Sequence, residues 1–121
     1  MRIGSIAHTD ASTCRLGQRI GDVAVKDDLC VVINAECIVL GDLRGAALHA
    51  DPRTPVEDVM SVAPATYRPN VSAREMAHHM LETGARRVLV TDGDGRLMGW
   101  VTFENVLHAL DNSRHSHATT G

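Results

Sequence analysis

The chain has few aromatic residues and no excess of positive charge. Only Tyr67, Trp100 and Phe103 are aromatic, 2% of the 121 residues, and the net charge is −3 with neutral histidines. Proteins that hold single-stranded nucleic acid stack its bases on aromatic side chains, and proteins that hold duplexes present a basic surface. The composition therefore argues against nucleic acid as a partner and predicts an aliphatic core.

Long hydrophobic runs and paired cysteines are also lacking. No apolar run approaches the roughly 18 residues of a membrane-spanning helix, and residues 1–12 lack the charged and then apolar pattern of a signal peptide. Three cysteines leave one unpaired in any disulfide scheme, and two of them lie in apolar runs, which is typical of a reducing compartment. These absences predict a soluble cytoplasmic protein without membrane contact.

Residues that could carry chemistry lack the spacing that chemistry requires. His78 and His79 are adjacent, so on a helix they diverge by about 100°, whereas a zinc pair uses positions i and i+4. Asp92 and Asp94 resemble the start of a calcium loop that has no acid at its twelfth position. No phosphate-cradling glycine loop with lysine and no nucleophile elbow is present. The sequence predicts no metal site and no enzymatic activity.

The strongest positive signal is an internal repeat. Residues 30–48 align without a gap with residues 88–106, and both read as strand, tight turn, strand and helix, with Gly41 and Gly99 at matching positions. The repeat extends backwards because Thr13-Cys14-Arg15 matches Thr66-Tyr67-Arg68, with five residues fewer before the hairpin in the first copy. Such self-similarity indicates two units of one type.

Local signals define the elements of the second copy. Ser72 followed by Glu75 is a capping-box pattern, and Gly84 is a typical residue after a helix end. The predicted apolar stripe of this helix is Ala73, Met76, Ala77, Met80 and Leu81. An Asp-Gly-Asp-Gly turn then separates strands over 88–91 and 97–102, and Val106, Leu107 and Leu110 line a closing helix.

The first copy gives weaker signals. Its opening helix is predicted over residues 18–26, and Thr54 and Pro55 are expected to begin a short helix after the joint at 50–53. The predicted organisation is an N-terminal segment 1–12, a shortened first repeat 13–53, a second repeat 54–110 and a flexible tail 111–121.

The ordered motifs of the second copy resemble those of a cystathionine β-synthase (CBS) domain over residues 56–110. The motifs are Val56-Glu57-Asp58-Val59-Met60, Pro64-Ala65-Thr66, Gly84-Ala85-Arg86-Arg87-Val88, Asp94-Gly95-Arg96-Leu97-Met98-Gly99 and Val101-Thr102. The first copy resembles a degraded CBS motif, and together they are similar to a tandem pair, or Bateman module. The resemblance implies an α+β fold of two β-α-β-β-α units packed sheet to sheet with pseudo-twofold symmetry, and clefts that in many relatives hold adenosine nucleotides or S-adenosylmethionine.

The resemblance also implies a ligand site where the last strand of the second copy enters its closing helix. Thr102 and Asn105 stand where relatives hold a ribose, although Asp is usual at the second position, and the exchange should weaken ribose binding by about 1 kcal/mol. The alternative is purely structural, because Thr is a normal helix cap and Asn is tolerated in a first turn.

Four further residues are implied to border the ligand. Arg87 would face the base or phosphate, and strand alternation allows only one of Arg86 and Arg87 to do so; the alternative is a solvated strand end. Tyr67 and Ala65 would border adenine, unless Tyr67 is a core residue. In the first copy, Arg44 replaces the hydroxyl and could reach a phosphate.

Two functions follow from the resemblance. The first is a regulatory module that senses AMP, ATP or S-adenosylmethionine in the cleft between repeats and modulates a partner protein, with no required cofactor. The second is a ligand-independent structural module that mediates dimerisation through degenerate sites. Both include a homodimer, and neither identifies the regulated protein.

Overall fold

The computed structural model describes residues 1–24, 29–62 and 65–120, with backbone only for 112–120. The strands are β1 (Thr13–Cys14), β2 (Leu29–Ile33), β3 (Val39–Arg44), β4 (Ser61–Val62), β5 (Thr66–Tyr67), β6 (Arg87–Thr91) and β7 (Leu97–Thr102). The α-helices are α1 (Val56–Val59), α2 (Ala73–Thr83) and α3 (Phe103–Thr120), and 3-10 turns span Ile3–Ser5, Ile20–Asp22 and Gly45–His49.

The strands form two small sheets, ordered β1-β2-β3-β4 and β5-β6-β7. β1 is parallel to β2, which is antiparallel to β3, and β5 is parallel to β6 in the same way as β1 to β2. The predicted α+β class is confirmed. Both copies also use the same strand pairing, Thr13 with Val31 and Thr66 with Leu89.

The chain divides into two compact units that do not follow the boundaries expected from the sequence. Unit I comprises residues 10–65 and 93–97, and unit II comprises residues 1–9, 66–92 and 98–121. Residues 1–9 therefore belong with the second copy, and the segment before β5 belongs with the first. Each unit is completed by the segment that precedes the first strand of the other copy.

Equivalent hydrogen bonds hold these two segments in place. In unit II, the backbone N–H of Ile3 donates to the carbonyl of Val71 at 2.9 Å, and in unit I the N–H of Val56 donates to Gln18 at 3.0 Å. Ile3 and Val56 are both 0% exposed and lie in the cores of their units. Residues 1–9 are thus the counterpart of α1 and the residues after it.

Helix α2 agrees closely with its local signals. The Ser72 hydroxyl accepts the backbone N–H of Glu75 at 3.1 Å, and Gly84 ends the helix with φ 73°, a left-handed conformation that costs glycine little. The buried stripe consists of Ala73, Met76, Ala77 and Met80. Leu81 was wrongly included, since it is 68% exposed and lies about 100° beyond Met80, at the edge of the stripe.

The prediction of an opening helix over residues 18–26 in the first copy was wrong in its extent. Among residues 18–24 the structure has only the 3-10 turn Ile20–Asp22, closed by the Asp22 carboxylate on the backbone N–H of Arg19 at 3.2 Å; residues 25–28 lie outside the described part. Thr54 does not cap α1. Its carbonyl accepts the N–H of Ile20 at 2.9 Å, and the helix begins after Pro55.

Helix α3 continues through Thr120, over residues that the sequence predicts to be a flexible tail. Residues 111–120 lack an apolar period, which is the signal for a packed helix. They also contain neither glycine nor proline, so the backbone meets no strong obstacle to helix propagation.

The burial of Ile3 predicts that residues 1–9 are required for the stability of unit II. Ile3→Ala should lower the free energy of unfolding by roughly 2–4 kcal/mol, because it leaves a cavity in a closed aliphatic core. Arg74→Ala, at an exposed position of α2 in the same unit, should change it by less than about 0.5 kcal/mol. Urea denaturation of both variants measures the difference, and equal effects would show that residues 1–9 are not part of the core.

Candidate ligand site at the start of helix α3

Thr102 and Asn105 form a reciprocal cap where β7 enters α3. The Thr102 hydroxyl oxygen accepts the backbone N–H of Asn105 at 3.0 Å. In return, Asn105 Oδ1 accepts the Thr102 hydroxyl at 2.7 Å and its backbone N–H at 3.4 Å. This is a capping box with Asn in place of the usual Glu or Gln. The two residues are brought together as expected, and they also stabilise the helix end.

A third residue, His8, joins this pair from the N-terminal segment. Its Nε2 lies 2.8 Å from Asn105 Oδ1. The backbone of His8 pairs with Trp100 through two hydrogen bonds of 2.8 and 3.0 Å, and the two rings stack with centroids 4.5 Å apart. Gly99 permits this approach, because a Cβ there would lie 2.3 Å from the His8 carbonyl oxygen.

His8 was not among the predicted site residues, because the repeat was followed backwards only to residue 13. Continued backwards from Thr13 and Thr66, the same register places His8 opposite Ser61. Ser61 pairs with Asp42 in β3, as His8 pairs with Trp100 in β7. Once the pairing of Ser61 with Asp42 is known, the repeat therefore places His8 beside Trp100.

Two arginines lie beside the cap. The Arg87 guanidinium is 5.5 Å from the centroid of the Trp100 ring, a cation–π distance, and the carbonyl of Arg86 accepts the N–H of Phe103 at 2.8 Å. A cavity of about 400 Å³ is lined by Arg86, Arg87, Thr102, Phe103 and Glu104. Both arginines line it, contrary to the expected alternation, because Arg86 precedes β6. With two guanidinium groups, one carboxylate and a helix N-terminus, the cavity favours anions.

Tyr67 lies at a different cavity. It is half-buried in β5, with its ring 5.2 Å from the His79 ring in an edge-on arrangement. That cavity, of about 330 Å³, is lined by Tyr67, Val71, Glu75, Met76, His78 and His79. Ala65 is exposed immediately before β5. Tyr67 also packs against the core of unit II, as its structural alternative predicted.

The corresponding position in the first copy has a different chemistry. Arg44 ends β3, and its Nε donates to Asp42 Oδ2 at 2.8 Å; Asp42 is buried, 2% exposed. The chain then enters the 3-10 turn Gly45–His49 in place of a long helix. Arg44 is thus partly committed to a buried carboxylate, and the turn offers few aligned peptide dipoles to an anion.

The thiols of Cys14 and Cys30 interact inside unit I. Their hydrogen bond lowers the pKa of Cys14, while the same bond and burial raise the pKa of Cys30. Both are buried in the aliphatic core of that unit. They serve as small core residues that share one hydrogen bond.

Metal-binding clusters and membrane-spanning helices are both absent from the described residues. In residues 1–24, 29–62 and 65–120, no group of three or more His, Cys, Asp or Glu side chains is placed to hold a metal ion. Within the same ranges, no helix combines the length and apolarity needed to cross a membrane.

The CBS domain family matches residues 56–112. The cytosolic domain of the Mg²⁺ channel MgtE, in complex with ATP, has a TM-score of 0.80 at 24% identity, over 89% of this chain and 48% of its own length. CBSX2 of Arabidopsis thaliana, in complex with AMP, has a TM-score of 0.77 at 21% identity, over 93% and 98%. The CBS domains of a transcriptional regulator from Streptococcus pneumoniae have a TM-score of 0.77 at 18% identity, over 89% and 98%.

These structural similarities establish the fold and no more, because all identities are below 25%. The chain spans about half the length of the MgtE cytosolic domain. No curated protein matches the sequence. The family match covers the second copy, as expected from its motifs, and the similarity to paired domains extends over most of the chain.

The Asp42–Arg44 pair gives a prediction for the first copy. Arg44→Ala should lower the free energy of unfolding by about 1–3 kcal/mol, because it deprives a buried carboxylate of a hydrogen-bond donor. Arg53→Ala is the matched control, since its contact with Asp51 is 3.7 Å long and its side chain is 88% exposed. Its effect should stay below about 0.5 kcal/mol. Urea denaturation measures the free energy of unfolding of both variants, and equal values would contradict a structural role of Arg44.

Proposed function

Because this chain carries a CBS domain and has the fold of a CBS pair, we propose that it is a regulatory module that binds an adenosine-type ligand and modulates a partner protein. The ligand class is AMP, ATP or S-adenosylmethionine. The module requires no cofactor, catalyses no reaction and acts in the cytoplasm. The partner is a protein whose activity depends on the ligand-bound state.

The observation that carries this proposal is the cavity at the start of α3. Arg86 and Arg87 lie there beside Thr102 and the first turn of an 18-residue helix. Phosphate oxygens are favoured by guanidinium groups and by the positive end of a helix dipole. The volume of about 400 Å³ lies within the range of small-molecule sites. Two solved structures with this fold hold ATP and AMP, which supports the same ligand class here.

Each site residue has a proposed role. Arg87, with Arg86 beside it, contacts the phosphate, and Thr102 and Asn105 lie nearest the ribose. The contacts of Tyr67 and Ala65 with the adenine base remain predictions. Arg44 stays a predicted phosphate contact through its terminal nitrogens, since its Nε is bound to Asp42.

Regulation follows from differential affinity. A ligand shifts a protein between two arrangements only by as much as it binds one of them more tightly. The similar proteins include a channel domain and a transcriptional regulator, so this fold is coupled to different effectors. A partner of this chain should therefore be recognisable because its activity or its binding to this chain changes when the ligand is added.

Ligand binding is directly measurable. AMP, ATP or S-adenosylmethionine should raise the melting temperature, on the order of 10 °C at a hundredfold excess over Kd. The fluorescence of Trp100, the single tryptophan, should change as well, because Arg87 lies over its ring. Calorimetry then gives the affinity of whichever ligand responds.

Arg87→Ala should weaken nucleotide binding by roughly 10- to 100-fold, the value of a hydrogen bond to a charged group. Arg74→Ala, at an exposed arginine of α2, is the matched control and should bind as the unchanged chain does. If none of the three ligands acts at millimolar concentration, the nucleotide function is wrong, and the alternative of a ligand-independent dimerisation module takes its place.

We also expect a homodimer. Leu81 of α2 and Leu107 of α3 are 68% and 45% exposed, on two helices that pack against each other in unit II. Light scattering should give twice the monomer mass at micromolar concentration. Leu107→Glu should shift the protein to monomer, whereas Val62→Glu, at a 74% exposed strand position, should not. A monomer for the unchanged chain would contradict this expectation.

A further inference from the structure

We propose that His8 is a specificity-determining residue of the site at the start of α3. By occupying the acceptor oxygen of Asn105, it makes the site select its ligand through phosphoryl groups and not through ribose hydroxyls. This inference rests on the proposed function, because it concerns the ligand of the same site.

The hydrogen bonds fix which end of the Asn105 amide faces which neighbour. The backbone N–H of Thr102 can only donate, so the amide atom 3.4 Å from it must be the oxygen. His8 Nε2 lies 2.8 Å from that same oxygen, and therefore it carries a proton and donates. The orientation of the amide follows from its neighbours.

The acceptor capacity of Asn105 is then exhausted. An amide oxygen has two lone pairs, and the short bonds from the Thr102 hydroxyl and His8, 2.7 and 2.8 Å, use both. A ribose hydroxyl that needs an acceptor here must displace one of them. The remaining polar group of Asn105 is its NH₂, which is a donor. With Arg86 and Arg87 the site offers donors, which suit ionised phosphoryl oxygens better than hydroxyls.

His8 is held in this position by more than its imidazole. Its backbone N–H and its carbonyl both form hydrogen bonds with the backbone of Trp100, and its ring stacks on the indole. The segment that carries it is anchored by Ile3, which is completely buried. A ligand that competes for Asn105 therefore competes with an ordered donor, and the competition has a measurable cost.

The test separates the hydrogen bond from the stacking. His8→Phe keeps an aromatic ring for Trp100 and removes the donor. Calorimetry with adenosine and with pyrophosphate should show adenosine binding roughly three- to tenfold tighter than in the unchanged chain, the value of one neutral hydrogen bond. Pyrophosphate should bind within twofold of the unchanged chain. Ser5→Ala, in the same segment, is the matched control; the Ser5 hydroxyl donates to the carbonyl of Arg2 at 2.7 Å, and its removal should alter neither affinity.

A second variant tests the same point with His8 in place. Asn105→Asp supplies a second acceptor oxygen, so adenosine should bind more tightly, while the added charge should weaken pyrophosphate binding. In this background His8→Phe should improve adenosine binding less than it does alone, which a double-mutant cycle measures. The Asp variant keeps the inference testable if His8→Phe does not fold.

The outcomes distinguish the two proposals. If ATP binds the unchanged chain but neither variant changes the ratio of adenosine to pyrophosphate affinity, the inference about His8 is overturned and the proposed function stands. If His8→Phe strengthens or weakens both ligands equally, the inference is also overturned. If neither ligand nor ATP binds any variant, both proposals fall.

Discussion

The exchange of short segments between the two units is the constraint on which the rest of the structure depends. Ile3 and Val56 each fill the core of the unit formed by the other copy, and both are fully buried. Each core is small and contains few large side chains, because the chain is almost free of aromatic residues. Each buried aliphatic residue therefore matters more. Each unit therefore includes a segment from outside its own copy of the repeat, although each has its own sheet.

The same exchange places His8 beside the start of α3. Thr102 and Asn105 together cap the helix there, and Thr102 also borders a cavity with two arginines. Structural and functional interpretations of this pair are therefore compatible. A helix N-terminus needs acceptors for its free N–H groups, and those that remain are available to an anion.

The two copies differ where the ligand site is expected. In the second copy, Trp100 contacts His8 and Arg87, and Thr102 directly precedes the first turn of a long helix. In the first, Asp42 and Arg44 occupy the corresponding positions and bind each other. An internal ion pair that satisfies a buried carboxylate leaves less for a ligand, which makes the second copy the better candidate for binding.

The sequence by itself determined the features that depend on neighbours along the chain. The limits of α2, set by Ser72 and Gly84, and the turn between β6 and β7 follow from local hydrogen bonding and backbone preference, and the motifs from residue 56 onward identified the family. Only the tertiary structure decided that His8 reaches Asn105 and that Arg44 is bound to Asp42. The first contact joins residues far apart in the sequence, and it depends on which strand the N-terminal segment joins. The second joins residues only two positions apart, but it matters because tertiary packing buries the Asp42 carboxylate, whose charge must then be compensated.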